Sequence, residues 1–420
     1  MRSGSQVAGD HHEVGGRDLG LRENGLQAGE HPVDVAQHGD GQDHAPHYAN
    51  GIPARMPKQQ VHCRWRKSAL RRNSPTHLAR CTLVSPAARA QLNILDLVPV
   101  REGGTPAEAI ASTVETARHA ERWGYQRYWM AEHHNMPGVA SSSTAVLIAH
   151  VADHTETIHV GAGGIMLPNH APYVVAEQFG TLATMHPGRI DLGLGRAPGT
   201  DPFTTRALRR SEAAAMNFAG EVEELIRYLG EVDPDAKVRA IPGEGTHVPI
   251  WILGSSHGGA QVAAALGLPF CFASHFAPAA LMSALEVYRS RFTPSTLPGG
   301  LDAPRTMAGM NVMVADTQEE AERLYTSVLA RFHSIVTGRR GGVTKPVRDI
   351  DSLLASWSPA ERQAVSDMTR VSLVGTPDTV REGLAGFVEA TGVDEVIVTC
   401  GAYDTADRLR SYELLADAWL

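Results

Sequence analysis

Three side chains capable of acid–base chemistry stand together in the stretch YWMAEHHNMPG, residues 128–138. Glu132, His133 and His134 follow an apolar run that is typical of a buried strand, and Pro137 and Gly138 then turn the chain. A neutral imidazole, with an ordinary pKa near about 6.5, accepts a proton at neutral pH, as a general base must. Successive side chains of an extended chain point to opposite sides. We therefore expect only one of the two histidines to face a cavity.

The apolar run before Glu132 is one of eight, and helical patterns separate most of them. Eight buried strands alternating with helices over about 330 residues predict an α/β fold, a (β/α)8 TIM barrel with insertions. A doubly wound sheet is the alternative. The predicted strands cover residues 92–100, 126–132, 158–167, 189–195, 248–254, 269–274, 306–315 and 394–400.

Helix signals accompany these strands. Thr105, Pro106 and Glu108 predict an N-cap, a first helical position and a capping box for the first helix. A long helix is expected from about residue 205 to 229. Two stretches, 230–247 and 338–373, are interpreted as insertions, and the second begins with the lid-like composition RRGGVTKP.

Composition limits the function classes. The chain has 420 residues, 43% apolar and 20% charged, so it can bury a full core. A net charge of -8 gives no field that would gather nucleic acid or an anionic membrane, and a small-molecule partner is expected. Four distant cysteines without a CxxC pair disfavour a zinc site or disulfide framework and fit the cytoplasm. No signal peptide or membrane-spanning run is recognisable.

The first 90 residues differ from the rest. They are rich in Gly, His, Asp and Gln and then in Arg, with little aliphatic periodicity, so we interpret 1–90 as a disordered extension, consistent with a start assigned too far upstream. A transit peptide or a nucleic-acid-binding arm is the alternative. The predicted barrel domain is 91–420.

Polar residues collect where the predicted strands end, and a barrel places those ends on one rim. Gly254, Ser255 and Ser256 form a strand-to-helix turn whose free N–H groups and helix dipole attract an anion, and Arg196 follows the preceding strand. Taken singly, a serine helix cap and an arginine paired with a surface carboxylate are the simpler interpretations. Together these residues indicate a phosphorylated ligand. Glu132 with His134, or with His170 and His275, shows no standard metal-ligand spacing, so no metal site is predicted.

Three long segments, in this order, carry a resemblance to a known family: WMAEHHNMPGVASSSTAVLIAHVA, GAGGIMLPNHAPYVVAEQFGTLATMHPGRIDLGLGRAPGTD and WILGSSHGGAQVAAALGLPFCFASHFAP. They resemble the bacterial-luciferase-like flavin monooxygenases, and within them the single-chain group close to alkanal monooxygenase. The match covers essentially Asn93 to Leu420. The resemblance implies a barrel that binds reduced FMN at the strand ends.

The resemblance also implies roles for individual residues. Glu132, His133 and His134 match the family's EHH motif, with His133 as the general base near the flavin. Gly163 and Gly164 match its non-proline cis peptide. Its phosphate arginine falls on Arg196, and its phosphate loop on Gly254, Ser255 and Ser256. Related sequences commonly have a further serine where this chain has Gly259.

The function implied is oxidation of a small aldehyde- or ketone-like substrate by O2 through a flavin peroxide. The resemblance further implies that a separate NAD(P)H:flavin reductase supplies the reduced FMN, and that the chain forms a homodimer through its second and third helices. Two alternatives stay open: hydride transfer with a deazaflavin, and a non-catalytic flavin-binding subunit. Trp129, Met136, Met166 and Phe276 are expected to shape the substrate pocket, together with the insertion from Gly338 to Leu373.

Overall fold

Nine parallel strands form the sheet of the structure, a computed structural model that describes residues 90–210, 212–297 and 299–420. The predicted extension lies outside the described residues, except Ala90. The strands are β1 (Gln91–Asp96), β2 (Arg127–Met130), β3 (His159–Met166), β4 (Ile190–Gly195), β5 (Ile250–Gly254), β6 (Phe270–Phe272), β7 (Thr306–Val314), β8 (Ser372–Gly375) and β9 (Glu395–Thr399).

Eight of these strands close into a ring. Strands β1 to β7 pair in chain order, β7 pairs with β9, and β9 pairs with β1. The predicted (β/α)8 TIM barrel is therefore confirmed, and its eight strands are the eight predicted ones. The strand outside the ring, β8, pairs with residues Asn311–Val314 at the end of β7.

Thirteen α-helices occur in the described residues. They are α1 (Pro106–Arg122), α2 (Thr144–Ala152), α3 (Pro172–Met185), α4 (Pro202–Ala207), α5 (Glu212–Met216), α6 (Phe218–Leu229), α7 (His257–Leu266), α8 (Leu281–Arg291), α9 (Gln318–Val336), α10 (Ile350–Ala355), α11 (Pro359–Met368), α12 (Pro377–Thr391) and α13 (Thr405–Trp419). The capping box predicted for α1 is present: Glu108 N donates to Thr105 Oγ1 at 3.2 Å, and Thr105 N donates to Glu108 Oε2 at 2.9 Å. None of the described helices is both long and apolar enough to cross a bilayer.

Three predicted elements differ from the structure. The first strand ends at Asp96, not at residue 100, because Asp96 Oδ1 accepts a hydrogen bond from Val98 N at 2.8 Å and Val98 has a φ of 49°. The helix expected over 205–229 is divided into α4, α5 and α6, with Arg209 at a φ of 54° in the first break. The supposed insertion 338–373 contains α10, α11 and the start of β8.

Charged side chains fill the interior of the barrel near the start of the strands. Arg127 lies 3.2 Å from the buried Asp191 carboxylate and 3.4 Å from that of Glu395. Neither β4 nor β9 is a neighbour of β2, so these contacts run through the barrel interior. Arg305 also contacts Glu395, at 2.6 Å, and both arginines lie over the ring of Trp251. The two cations balance the two carboxylates, as burial of charge requires.

We expect Glu395→Gln to lower the free energy of unfolding by about 3 kcal/mol, because it leaves Arg127 and Arg305 without this carboxylate. Urea unfolding followed by circular dichroism measures the change. Glu389→Gln, on the exposed side of α12, is the matched control and should change stability by less than about 0.5 kcal/mol. Equal unfolding midpoints for the two variants would contradict the role of Glu395.

Candidate active site

Glu132 is the centre of a hydrogen-bond network just beyond the end of β2. Its buried carboxylate accepts hydrogen bonds from His134 Nε2 at 2.8 Å and His170 Nε2 at 3.0 Å. Met166 N, at the end of β3, and Asn169 Nδ2, in the following turn, donate to it at 3.1 and 3.2 Å. The carboxylate therefore ties together the chain segments that follow two neighbouring strands.

The same contacts keep Glu132 charged. Burial acts against the charged form, but the hydrogen bonds from His134, His170 and Met166 outweigh it and lower the pKa of Glu132 to about 2. A carboxylate with this pKa orients imidazoles rather than releasing or taking up protons near neutral pH. Glu132 and His134 are both predicted from the sequence to belong to the catalytic group, and that assignment stays a prediction.

The adjacent His133 has a different environment. Its Nδ1 lies 3.4 Å from the carbonyl oxygen of Gly199, and its backbone N donates to Ser141 O at 3.1 Å. Because a carbonyl only accepts, Nδ1 carries the hydrogen and Nε2 keeps its lone pair. Burial lowers the pKa of His133, so the ring is neutral at pH 7. The two histidines thus have separate partners: His134 Nε2 donates to Glu132, whereas His133 Nε2 keeps a lone pair that can accept a proton.

The end of β3 contains the Gly163–Gly164 cis peptide, which confirms that prediction. A Cβ on Gly163 would lie 2.6 Å from Leu95 Cδ1 and 3.2 Å from Trp129 Cβ, and one on Gly164 would lie 2.6 Å from Gly193 O. Neither position has room for a side chain. Trp129, which we expected in the pocket wall, is fully buried beneath this peptide, so that expectation is wrong.

Arg196 lies against the turn between β5 and α7. A Cβ on Gly258, in the first turn of α7, would be 3.1 Å from Arg196 Nη2. Ser255 and Ser256 are exposed, and the Ser256 side chain makes no capping bond to its helix. Within the described part of the chain, no carboxylate lies within ion-pair distance of Arg196. A serine cap and a surface ion pair, the two simpler interpretations, are therefore not what the structure contains.

Gly259, the departure from related sequences, lies on the inner side of this turn. A Cβ there would be 3.1 Å from Gly254 Cα and 3.5 Å from the ring of Phe270. The Cβ of a serine at position 259 would therefore be directed toward Gly254 in strand β5. Gly254 and Gly259 instead let β5 and α7 approach closely, which leaves the backbone amides and the Ser255 and Ser256 hydroxyls as the donors of the turn.

Arg210 joins the two halves of the site. Its Nη2 donates to Arg196 O at 2.6 Å, and its Nη1 donates to Asn169 Oδ1 at 3.0 Å. Because Asn169 also donates to Glu132, one chain of contacts runs from the arginine loop to the EHH segment. Sequence reasoning missed Arg210 and Asn169, and it considered His170 only as a metal ligand. The polar run LPNHAP after β3 was the one available signal.

All the predicted site residues lie at the carboxyl ends of four consecutive strands. Glu132, His133 and His134 follow β2, the two glycines belong to β3, Arg196 follows β4, and the serines follow β5. The imidazole and the guanidinium are consequently at the same end of the barrel. Within the described ranges, no group of three or more His, Cys, Asp or Glu side chains has the geometry to hold a metal.

This arrangement agrees with a comparison of the chain with protein families. The family model for luciferase-like monooxygenases matches residues 91–395. The chain belongs to this family. The protein YvbT of Bacillus subtilis is 51% identical over 331 residues, 78% of this chain and 96% of its own length. A luciferase-like monooxygenase of Escherichia coli K12 is 47% identical over 326 residues, 77% of this chain and 96% of its own.

Solved structures agree with the barrel. The crystal structure of apo-MsnO8 has a TM-score of 0.70 and 34% identity, with 78% of this chain and 98% of the other covered. The oxygenating constituent of a 3,6-diketocamphane monooxygenase in complex with FMN and an F420-dependent secondary alcohol dehydrogenase each have TM-scores of 0.58, at 19% and 15% identity. At such identities the likeness shows the fold alone. An N-acetyl-S-alkylcysteine monooxygenase of Bacillus subtilis is 33% identical over 337 residues, 79% of this chain and 98% of its own.

We expect Glu132→Gln to lower the free energy of unfolding by about 3 kcal/mol near pH 6, with a difference from wild type that shrinks as the pH falls from about 4.5 to 2. The pKa of Glu132 is lower in the folded protein than in the unfolded chain. Its contribution to stability is therefore complete above the unfolded pKa and is lost as the carboxylate is protonated. Urea midpoints at several pH values measure it.

Glu115→Gln, at an exposed position of α1, is the control and should follow the wild-type curve. A difference between Glu132→Gln and wild type that stays constant down to pH 2 would show that the charge of Glu132 is not what stabilises the network.

Proposed function

We propose that this chain is a flavin-dependent monooxygenase that uses reduced FMN and O2 to oxidise a small aldehyde- or ketone-like substrate. One observation carries the proposal: a neutral imidazole, His133, and a guanidinium without a carboxylate partner among the described residues, Arg196, lie at the same end of one barrel. The imidazole provides a base, and the guanidinium provides a binding site for a phosphate. Membership of the luciferase-like monooxygenase family supports the reaction class.

The residues of the rim fit an FMN molecule. Arg196, Gly258 and the serine hydroxyls form an anion site with the N-terminus of α7, the end of a helix that favours a phosphate. The cis peptide between Gly163 and Gly164 offers bare backbone for a planar ring to approach. Bound reduced FMN would supply the electrons that activate O2, with one oxygen atom entering the substrate and the other leaving as water.

The protein's own contribution is proton transfer and positioning. Nε2 of His133 takes up a proton at the reacting centre, because Gly199 O fixes the hydrogen on Nδ1. Glu132, through His134 and His170, holds the loop that carries this ring. We further propose that a separate NAD(P)H:flavin reductase supplies the cofactor, that two copies pair through α2 and α3, and that the enzyme works in the cytoplasm.

Two other functions remain as competitors. Hydride transfer with a deazaflavin would use the same barrel, and a non-catalytic subunit would bind flavin without turnover. The relative named an N-acetyl-S-alkylcysteine monooxygenase favours oxygenation over both, and its name adds thioethers to the candidate substrate classes. Conversion of decanal to decanoic acid by the purified chain with free reduced FMN and O2, above the level given by reduced FMN alone, supports the proposal, and activity with a reduced deazaflavin alone contradicts it.

We expect Arg196→Gln to weaken FMN binding about tenfold to a hundredfold while leaving riboflavin binding nearly unchanged, because riboflavin lacks the phosphate that the guanidinium would hold. Quenching of flavin fluorescence gives both dissociation constants. Arg206→Gln, an exposed charge change on α4, is the control and should alter neither constant. Equal losses for FMN and riboflavin would place the phosphate elsewhere.

His133→Ala should lower kcat by about 10²- to 10⁴-fold with little effect on the FMN dissociation constant, since it removes a base and not a phosphate contact. In the wild type, the midpoint of the decline in kcat on acidification should lie below pH 6.5, because burial lowers the pKa of His133 from its ordinary value and the neutral ring is the active form. Stopped-flow turnover across pH 5–8 tests both expectations. Unchanged turnover in His133→Ala would remove the base role.

A further inference from the structure

His275 lies in the turn after strand β6, with its ring against strand β7. A Cβ on Gly309 of β7 would lie 2.3 Å from His275 Nδ1, so only a glycine leaves room for the ring. Two hydrogen bonds fix the turn to the same strand: Ser274 Oγ donates to Gly309 O at 2.6 Å, and Asn311 Nδ2 donates to His275 O at 2.6 Å. Direct contacts with β7 therefore determine the position of the imidazole.

The side of β7 that carries Gly309 and the His275 ring faces the interior of the barrel. Met307, two residues earlier, belongs to a buried apolar cluster with Trp129 of β2 and Trp251 of β5. The rings of the two tryptophans meet at 5.7 Å although their strands are not neighbours, so this cluster fills the interior. Residues two apart in a strand share a face. The ring of His275 is therefore also in the interior, nearer than Met307 to the carboxyl ends of the strands.

His275 and His133 follow strands on opposite sides of the barrel. In the closed ring of eight strands, β2 and β6 are four positions apart. A molecule in the mouth of the barrel can therefore contact both imidazoles. The proposed flavin contacts belong to β3 or follow β4 and β5. They leave the side of the mouth formed by β6 and β7 to the substrate.

The ring of His275 has an unused hydrogen-bond donor. Neither of its nitrogens is hydrogen-bonded to a residue that the structure describes, and Nδ1 is buried. Nδ1 faces a Cα hydrogen of Gly309, a contact that suits a lone pair and not an N–H group, so the hydrogen of the neutral ring is on Nε2. Burial lowers the pKa of His275 to about 4, which keeps the ring neutral at pH 7.

An apolar surface adjoins this donor. The ring of Phe276 meets that of His275 edge to face at 5.0 Å and is 41% exposed. A polar group that is shielded from water and has no partner costs free energy, which an acceptor atom of a ligand would recover. One donor beside an exposed aromatic ring suits a molecule with a single polar oxygen atom and a hydrocarbon part.

We propose that Nε2 of His275 donates a hydrogen bond to the carbonyl oxygen of the substrate, whose hydrocarbon part extends along Phe276. This inference rests on the proposed function, because it assigns a catalytic residue to that reaction. As a bond to oxygen forms at the carbonyl carbon, the π electron pair of the C=O bond moves to the carbonyl oxygen, and the hydrogen bond stabilises the resulting negative charge. The electron pair returns when the C=O bond forms again. His275 transfers no proton, and His133 remains the base.

Isotope-edited infrared difference spectroscopy tests this contact on the protein without flavin. The probe is methyl octyl ketone with carbon-13 at its carbonyl group, whose stretching frequency is lowered by a hydrogen bond. We expect the probe bound to the wild type to absorb at a lower frequency than in hexane. His275→Leu should return the frequency to the hexane value, and His275→Gln, whose amide donates from nearly the position of Nε2, should keep most of the shift. Equal frequencies in the wild type and His275→Leu, or a ketone that does not bind the wild type, would overturn the inference.

Turnover provides a second measurement. His275→Leu should lower kcat with decanal by about 10²- to 10³-fold, the loss typical of removing one donor to a developing oxyanion, and His275→Gln should recover part of it. The FMN dissociation constant should be unchanged in both variants. A weaker FMN complex in His275→Leu would assign His275 to the cofactor and overturn the inference.

His154→Leu is the matched control, because it makes the same change at an exposed histidine just after α2. It should keep both the frequency shift and kcat. The thermal midpoint of His275→Leu should stay level or rise, since the variant removes a buried nitrogen without a partner. A lower midpoint with equal losses of kcat in His275→Leu and His275→Gln would indicate a structural histidine instead.

The two measurements separate this inference from the proposed function. A wild type that binds FMN and converts decanal, but shows no carbonyl shift dependent on His275, would sink the inference alone. A wild type that shows the shift but does not bind FMN would sink the proposed function alone, since the infrared measurement needs no flavin.

Discussion

A buried carboxylate that must stay charged is the constraint on which the site depends. Glu132 is removed from water, and its charge is retained because donors from several loops converge on it. Met166 donates from the end of β3, and the other donors come from the chain segments that follow β2 and β3. Through Asn169 and Arg210 the same network reaches the backbone of Arg196. The proposed proton-accepting end and the proposed phosphate end are therefore held by one set of contacts.

The barrel beneath gives this network a firm base. Its interior holds balanced charges and Trp129, whose Nε1 donates to Asp191 at 3.1 Å. Further along the strands, the backbone at Gly163 and Gly309 lies so close to neighbouring side chains that neither position has room for a Cβ. Close packing of this kind transmits displacement instead of absorbing it. The loops that carry the site therefore extend from a closely packed barrel.

The carboxylates at the rim of the barrel already have hydrogen-bond or ion-pair partners within the protein. Glu132 is saturated by its donors, and Asp96 is engaged by α1 and α13. Asp201 caps α4 and also pairs with Arg340 at 3.1 Å. The guanidinium of Arg196 is left without a carboxylate partner among the described residues. An anionic ligand is the chemistry that such a surface favours.

The sequence by itself determined the barrel and the residues of its rim. Strand and helix periodicity is local, so all eight barrel strands and the α1 capping box could be predicted, and the strand ends pointed to Glu132, His133, Arg196 and the serines. It could not determine β8, the breaks between α4 and α6, or the partners Asn169 and Arg210. Those depend on contacts between residues distant along the chain. Helical and strand periodicity assign a residue to a face but do not identify its neighbours, so these partners were decided only by tertiary packing.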